Sequence, residues 1–289
     1  MKTTVRTILQ ASPGILRSAI IGILCIIFAA AQVRAAEPAA ERYSLMENAD
    51  KAIAEGRWAE AEDALRQALR LDPADPTNVL LLSNLGMVQF YDGRSGDAIA
   101  TLSDAHRIAP ASVTVLLNRA RVLTSAGFTD QALDDYSEVI RLDSTLTEPR
   151  FYRAVLSLSL GREQQAMADI DTLVLKAPDD RLTNIALATV EMRKADFQSA
   201  IMHLSTALKD NPDATHLGSR ALCYLMTGDL ASASDDIAAG LELDPTDGEL
   251  YLYRALLNKM RYRPDDAKAD GETADKMGVD PQKVKLLLQ

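Results

Sequence analysis

The chain has 289 residues, of which 47% are hydrophobic and 25% are charged, and it carries a net charge of −10 at pH 7. This composition is typical of a globular protein with one elongated or two compact domains. The negative net charge and the absence of a basic patch in the sequence argue against nucleic acid as a partner. Alanine and leucine dominate and aromatic residues make up only 5%, which favours helices packed closely through small side chains.

The first 35 residues are predicted to be a secretory signal peptide. Basic residues precede an apolar run over residues 19–31, and Ala35 fits the small-residue rule for cleavage before Ala36. The apolar run is shorter than the roughly 20 residues that a membrane span needs. An uncleaved anchor is the alternative, and only then would a membrane be a partner. We therefore expect an exported protein of the bacterial periplasm, with a short linker over residues 36–41.

The rest of the chain repeats itself. Seven alanines mark the register, with steps of 33 to 37 residues between them: Ala61, Ala98, Ala132, Ala166, Ala200, Ala233 and Ala267. Alanine or glycine stands twelve residues before each anchor, and glycine stands five residues before it in five of the seven copies. Proline stands twelve residues after the anchor in five copies. Repeats one to seven are assigned to residues 42–75, 79–112, 113–146, 147–180, 181–213, 214–247 and 248–281, and a C-terminal capping segment to residues 282–289.

Each repeated feature has a physical reason. Apolar residues at helical spacing lie on both sides of the glycine, so each repeat is predicted to contain two helices. The glycine ends the first helix in a left-handed conformation, and the proline ends the second helix. The small residues allow the two helices to approach closely. An aspartate near the proline is expected to cap the next helix, and Asp280 with Pro281 is expected to open a short terminal helix.

The register resembles that of the tetratricopeptide repeat family over residues 42–281, most clearly in "GRWAEAEDALRQALRLDP" at residues 56–73. The resemblance implies an all-α, right-handed superhelical solenoid of antiparallel helix pairs, in which the first helices line a concave groove. It also implies a protein or peptide partner.

Arginine and aspartate occur together in four of the repeats. They stand thirteen residues before and three residues after the anchor: Arg119 with Asp135, Arg153 with Asp169, Arg220 with Asp236, and Arg254 with Asp270. The other three repeats lack both. Because an unpaired buried charge is costly, we interpret the pairs as structural ion pairs between the two helices of one repeat. The alternatives are solvated arginines on a polar face and arginines that contact a ligand.

The family resemblance implies that first-helix side chains form the partner-binding groove. The candidate residues are Met87, Phe90, Tyr91, Phe151, Val155, Met192, Leu222, Met226, Leu252 and Met260. Such a groove suits an apolar helix or extended segment, because methionine adapts to varied shapes. Some family members hold a peptide carboxylate with Lys and Asn on this face, but Met46 and Asp50 occupy the positions that would begin such a clamp.

No pattern of catalytic or metal-binding residues emerges from the sequence. The three histidines lack metal-site spacing, and no phosphate-binding glycine loop or G-x-S-x-G motif occurs. Cys223, which lies in an apolar stretch, is expected to be a buried structural thiol. We therefore expect a protein that is not an enzyme and has no metal, catalytic or cofactor site.

Two functions fit these expectations. The first is a protein-binding scaffold in the cell envelope, and the second is an accessory or regulatory subunit of an envelope enzyme complex. We expect a monomer, with a weak homodimer through the leucines of the C-terminal segment as the alternative.

Overall fold

The computed structural model describes residues 39–288, and within that range the protein consists of fifteen α-helices. The predicted signal peptide and its cleavage site lie outside the described residues. The chain divides into two compact bodies between Asp135 and Tyr136. We call the described residues 39–135 the N-terminal body and 136–288 the C-terminal body.

The helices follow the predicted repeats. The N-terminal body contains α1 (residues 39–54), α2 (Trp58–Leu71), α3 (Asn78–Tyr91), α4 (Ser95–Ile108) and α5 (Val113–Ser125), and the division between the bodies falls within α6 (Thr129–Leu142). The C-terminal body continues with α7 (Glu148–Ser159), α8 (Glu163–Lys176), α9 (Arg181–Arg193), α10 (Phe197–Leu208), α11 (Ala214–Thr227), α12 (Leu230–Leu243), α13 (Gly248–Met260), α14 (Pro264–Lys276) and α15 (Pro281–Leu288). Helix α1 already includes residues 39–41, which the sequence assigned to a linker.

The two helices of each repeat pack against each other through the predicted small residues. The seven anchor alanines are all buried, and so are the residues twelve positions before them. In repeat two, a Cβ added to Gly86 would lie 2.6 Å from Leu102 Cγ, so no side chain fits there without displacing that leucine. The all-α architecture of paired helices is therefore confirmed.

A left-handed residue ends the first helix of every repeat. Five of these residues are glycines with φ between 68° and 82°. Ala195 and Tyr262 hold the same position in repeats five and seven, with φ of 59° and 60°. A left-handed conformation strains a residue that has a Cβ. The repeat geometry thus overrides the preference of these two residues.

Aspartates cap several of the first helices, as the sequence predicts. The side chains of Asp180, Asp213 and Asp247 accept hydrogen bonds from backbone amides at the starts of α9, α11 and α13. Asp280 accepts one from the amide of Gln282, 2.9 Å away, at the start of α15. These caps satisfy amides that have no partner within their own helix.

The long step between repeats one and two has a structural explanation. The Arg42 guanidinium of α1 forms an ion pair with Asp75 in the connecting turn. It also donates to Thr77 Oγ1 at 3.1 Å and to Asn78 Oδ1 at 2.9 Å. The Asn78 amide donates in turn to the Asp72 carbonyl at 2.8 Å. The extra residues therefore tie the turn to the first helix of repeat one.

Helix α15 lies against both helices of repeat seven. Val284, Leu287 and Leu288 pack beside Leu252, Ala274 and Val279. Leu286 points away from this contact and is 77% exposed. The segment thus covers part of the last repeat with three of its apolar side chains. Among the described residues, no helix has the length and apolar character needed to cross a membrane.

Candidate protein-interaction face

The structure brings together all four arginine–aspartate pairs that the register predicts. In the N-terminal body, Arg119 Nε and Nη2 donate to the two carboxylate oxygens of Asp135 at 2.7 and 2.6 Å. The pairs of Arg153, Arg220 and Arg254 in the C-terminal body share this two-point geometry, with distances of 2.6 to 3.0 Å. The aspartates are buried in every case. Such geometry is what compensates for the desolvation of both charges.

Two of these arginines also bind the preceding repeat. Arg153 Nη1 donates to Ser137 Oγ at 2.9 Å, and Arg220 Nη1 donates to Ser205 Oγ at 3.1 Å. Each serine lies on the second helix of the repeat before. Each of these arginines therefore links the two helices of its own repeat to the second helix of the preceding repeat. Their donors are occupied by the protein itself, which argues against a role as ligand contacts.

Repeats two and five carry a different polar pair, which sequence reasoning missed. The Gln89 side-chain amide lies 2.8 Å from Thr101 Oγ1, and Glu191 Oε1 lies 3.4 Å from His203 Nε2. Both pairs join the position nine before the anchor to the position three after it. The same two positions bring Asn258 within 3.0 Å of Asp270. A search for polar residues twelve apart would have found them, but their chemistry differs from repeat to repeat.

Among these polar side chains, the Glu191 carboxylate is the one whose burial is offset least by hydrogen bonds and opposite charge. Burial raises the pKa of its carboxyl above the ordinary value, and the nearby His203 offsets this only in part. Glu191 Oε2 is buried without a hydrogen-bond partner among the described residues. His203 Nδ1 is engaged by Asn184 Oδ1 at 2.9 Å. The ionised carboxylate of Glu191 is therefore expected to lower the stability of the folded protein at neutral pH.

Two of the predicted groove residues are not accessible. Phe151 is 8% exposed and Leu252 is fully buried. Phe151 packs in one core with Ile185 of the next repeat. Leu252 packs with Ala274 and Val279. Since neighbouring elements cover them, these two side chains belong to the core and do not line a groove.

In the N-terminal body, two of the predicted groove residues, Phe90 and Tyr91, belong to an aromatic cluster. Tyr91 stacks on Trp58 with ring centroids 5.3 Å apart and contacts Phe90 at 5.5 Å. Tyr91 remains largely exposed, whereas Met87 and Phe90 pack partly on the buried core. The cluster thus presents one face of Tyr91 to solvent.

In the C-terminal body, the remaining groove residues lie on the first helices of four repeats. Val155, Met192 and Leu222 are half-buried, and Met226 and Met260 are exposed. The three methionines lie seven or eight residues before their anchors, so they occupy matching places near the ends of α9, α11 and α13. We call Met192, Met226 and Met260 the methionine row.

The described residues offer little reactive chemistry. Residues 39–288 contain no group of three or more His, Cys, Asp or Glu side chains placed to hold a metal ion. Cys223 is buried, and its desolvation raises the thiol pKa to about 11, which keeps it protonated at neutral pH. His216 lies 2.8 Å from Asp213, which also pairs with Arg181. These side chains serve helix capping and packing.

Known proteins share both the sequence register and the fold. The family described as Tetratricopeptide repeat matches residues 46–113 and 185–248. A tetratricopeptide repeat protein from Parabacteroides merdae is 26% identical and superposes with a TM-score of 0.69 over 86% of this chain and 97% of its own. The chain contains tetratricopeptide repeats. Members of this family are generally non-enzymatic scaffolds that bind other proteins.

Two further known proteins are similar to this chain. The tetratricopeptide repeat and J domain-containing co-chaperone DNJ1 of Cryptococcus neoformans is 22% identical over 70% of this chain, and the match spans about a third (34%) of that relative's length. A chain in the Cut9–Hcn1 hetero-tetramer of the APC/C is 18% identical, with a TM-score of 0.65 over 84% of this chain and 54% of that chain. The second likeness is one of fold alone.

Proposed function

We propose that this tetratricopeptide repeat protein is a non-enzymatic scaffold, exported to the bacterial cell envelope, that binds a segment of a partner protein on the face of its first helices. The family supports the scaffold role. The basic and apolar pattern of residues 1–35 supports export. The acidic net charge of −10 directs the proposal away from nucleic acid.

The methionine row is the observation that carries the binding proposal. Met226 is 53% exposed near the end of α11, directly after buried Leu225, and Met260 is exposed at the end of α13. Half-buried Leu222 and Leu256 extend the apolar surface of the same two helices. Unbranched thioether side chains adapt to varied apolar partners, so this face suits a helix or an extended segment with apolar residues.

Site-specific photo-crosslinking tests the binding face. A photoreactive amino acid at position 226 is expected to crosslink to a partner in intact cells. The matched control is position 202, because Met202 is as exposed as Met226 but lies on a second helix, α10. Crosslinks of equal yield at both positions, or none at 226, would contradict the proposed face.

Export has its own test. N-terminal sequencing of the protein from an envelope fraction is expected to find a chain that begins at or near Ala36. Recovery of a chain with residues 1–35 intact in the membrane fraction would indicate an anchored protein and contradict cleavage at Ala36.

A further inference from the structure

A basic cavity of about 250 Å³ lies in the C-terminal body, beside the turn of repeat four and the end of the first helix of repeat five. Leu158 of α7, Glu163 and Met167 of α8, Val190 and Arg193 of α9, and Lys194 line it. It is separate from the methionine row, although Arg193 directly follows Met192 in the chain.

The cavity has an apolar floor and a charged mouth. Leu158 and Val190 are almost fully buried at its base, and Met167 is half-buried beside them. Arg193 and Lys194 bring two positive charges to the mouth, and Glu163 brings one negative charge. Arg193 Nη2 is 3.9 Å from Glu163 Oε1, too far for a hydrogen bond. Lys194 forms no ion pair with another described residue, although its charge acts on Glu191, which does not line the cavity. The mouth therefore carries an excess positive charge on an acidic protein.

The equivalent space between repeats six and seven is filled by a side chain of the protein itself. By register, Lys194, Glu163 and Met167 correspond to Arg261, Leu230 and Ser234. Arg261 reaches back across the space and donates to the Leu230 carbonyl at 2.8 Å and to Ser234 Oγ at 3.4 Å. Lys194 makes no such contact, and Met167 offers no hydroxyl to receive one. The open cavity between repeats four and five thus results from specific residues of this sequence.

We propose that this cavity receives one apolar side chain of the partner segment, and that the next residue of that segment is acidic. The proposal rests on the scaffold function and adds the chemistry of the bound segment. The apolar side chain would displace water from the surface of Leu158, Met167 and Val190. The following carboxylate would pair with Arg193 and Lys194, and a basic residue there would meet an unfavourable excess of positive charge.

The test uses the mature chain labelled with ¹³C at its methionine methyl groups. The probes are the capped dipeptides acetyl-Leu-Asp-amide and acetyl-Leu-Asn-amide, which differ in charge but hardly in shape. The Asp probe is expected to shift the Met167 methyl signal saturably. The Asn probe is expected to bind about fivefold more weakly, the size of one partly exposed ion pair.

Charge-reversal variants complete the test. Lys194→Glu is expected to lower the affinity for the Asp probe at least about fivefold. Lys259→Glu changes an exposed lysine at the end of α13 and is expected to leave that affinity unchanged. No saturable shift of Met167 with either probe, or equal affinity for both probes, overturns the proposal. A partner that crosslinks at position 226 in the same chain would leave the scaffold function standing, so the two failures are distinguishable.

Discussion

Arg153 and Asp169 form a two-point ion pair across repeat four, and Arg150 approaches the same carboxylate to 3.6 Å. Two guanidinium groups therefore share one carboxylate, and all three side chains are mostly buried. In repeat six, Asp236 pairs with Arg220, and no second cation among residues 39–288 lies within ion-pair distance of it, so the two repeats provide a natural comparison.

The first prediction compares those two repeats. Arg220→Ala is expected to cost about 3–5 kcal/mol, because it leaves Asp236 buried without its cation. Arg153→Ala is expected to cost less, since Arg150 still neutralises Asp169. Urea unfolding of the two variants measures the difference. The double variant Arg220→Leu/Asp236→Thr is the control and should recover most of the loss, whereas equal costs for the two arginines would contradict the prediction.

The second prediction concerns Arg150 itself. Its Nε is buried without a partner, and leucine stands at the equivalent position in repeats one, two, three and six. Arg150→Leu is expected to stabilise the protein by about 1–2 kcal/mol, because an apolar side chain replaces an incompletely paired buried charge. The same unfolding measurement checks it. A loss of stability would mean that Arg150 is needed at Asp169 even when Arg153 is present.

The third prediction concerns the strained turn of repeat seven. Tyr262 has a φ of 60°, and its side chain is 93% exposed, so it gains little packing in return. Tyr262→Gly is expected to raise stability by about 1 kcal/mol through relief of the left-handed strain. Tyr262→Ala keeps a Cβ and should bring no such gain. Thermal melting of both variants measures their stability. An equal gain in stability for the alanine variant would rule out backbone strain as the cause.

The fourth prediction is a pH dependence at Glu191. Because the pKa of this carboxyl is raised in the folded state, it disfavours folding once the pH exceeds its unfolded-state pKa of about 4.3. Glu191→Gln is therefore expected to raise the melting temperature at pH 7, and the gain should disappear as the pH falls below about 4. Glu242→Gln, an exposed glutamate on α12, is the control. A gain that persists at acid pH would argue against ionisation as the cause.

The fifth prediction concerns helix α15. Removal of residues 282–289 is expected to lower the melting temperature and to promote aggregation, because it uncovers the apolar side chains around Leu252. Leu286→Ser should change neither property, since Leu286 points into solvent. A truncated chain that melts like the full chain would show that α15 does not stabilise repeat seven.

The repeat register could be read from the sequence because each of its features has a local cause. Glycine at the helix end, proline after the second helix and small residues at the contact act within a few residues of themselves. The arginine–aspartate pairs could be found because both residue types recur at fixed spacing. The pairs Gln89–Thr101 and Glu191–His203 escaped, because no shared residue type links them.

Burial of the groove residues could not be read in the same way. Phe151 and Leu252 stand fifteen residues before their anchors, whereas Met226 and Met260 stand seven before theirs. All four lie on first helices, but only Phe151 and Leu252 are covered by neighbouring parts of the array. That cover depends on how successive elements pack, which helical spacing alone does not specify.

The varied polar pairs have a consequence for how the array assembles. Alanine-rich repeats of nearly equal length could pair out of order, for example with the first helix of repeat four against the second helix of repeat five. Arg153 would then face His203 rather than a carboxylate, and Asp169 would lose its two-point partner. Such a misassembled chain would bury unpaired charge at a cost of several kcal/mol. The pairs therefore disfavour exchange between neighbouring repeats whose polar pairs differ, such as four and five, but not between repeats three and four, which carry the same pair.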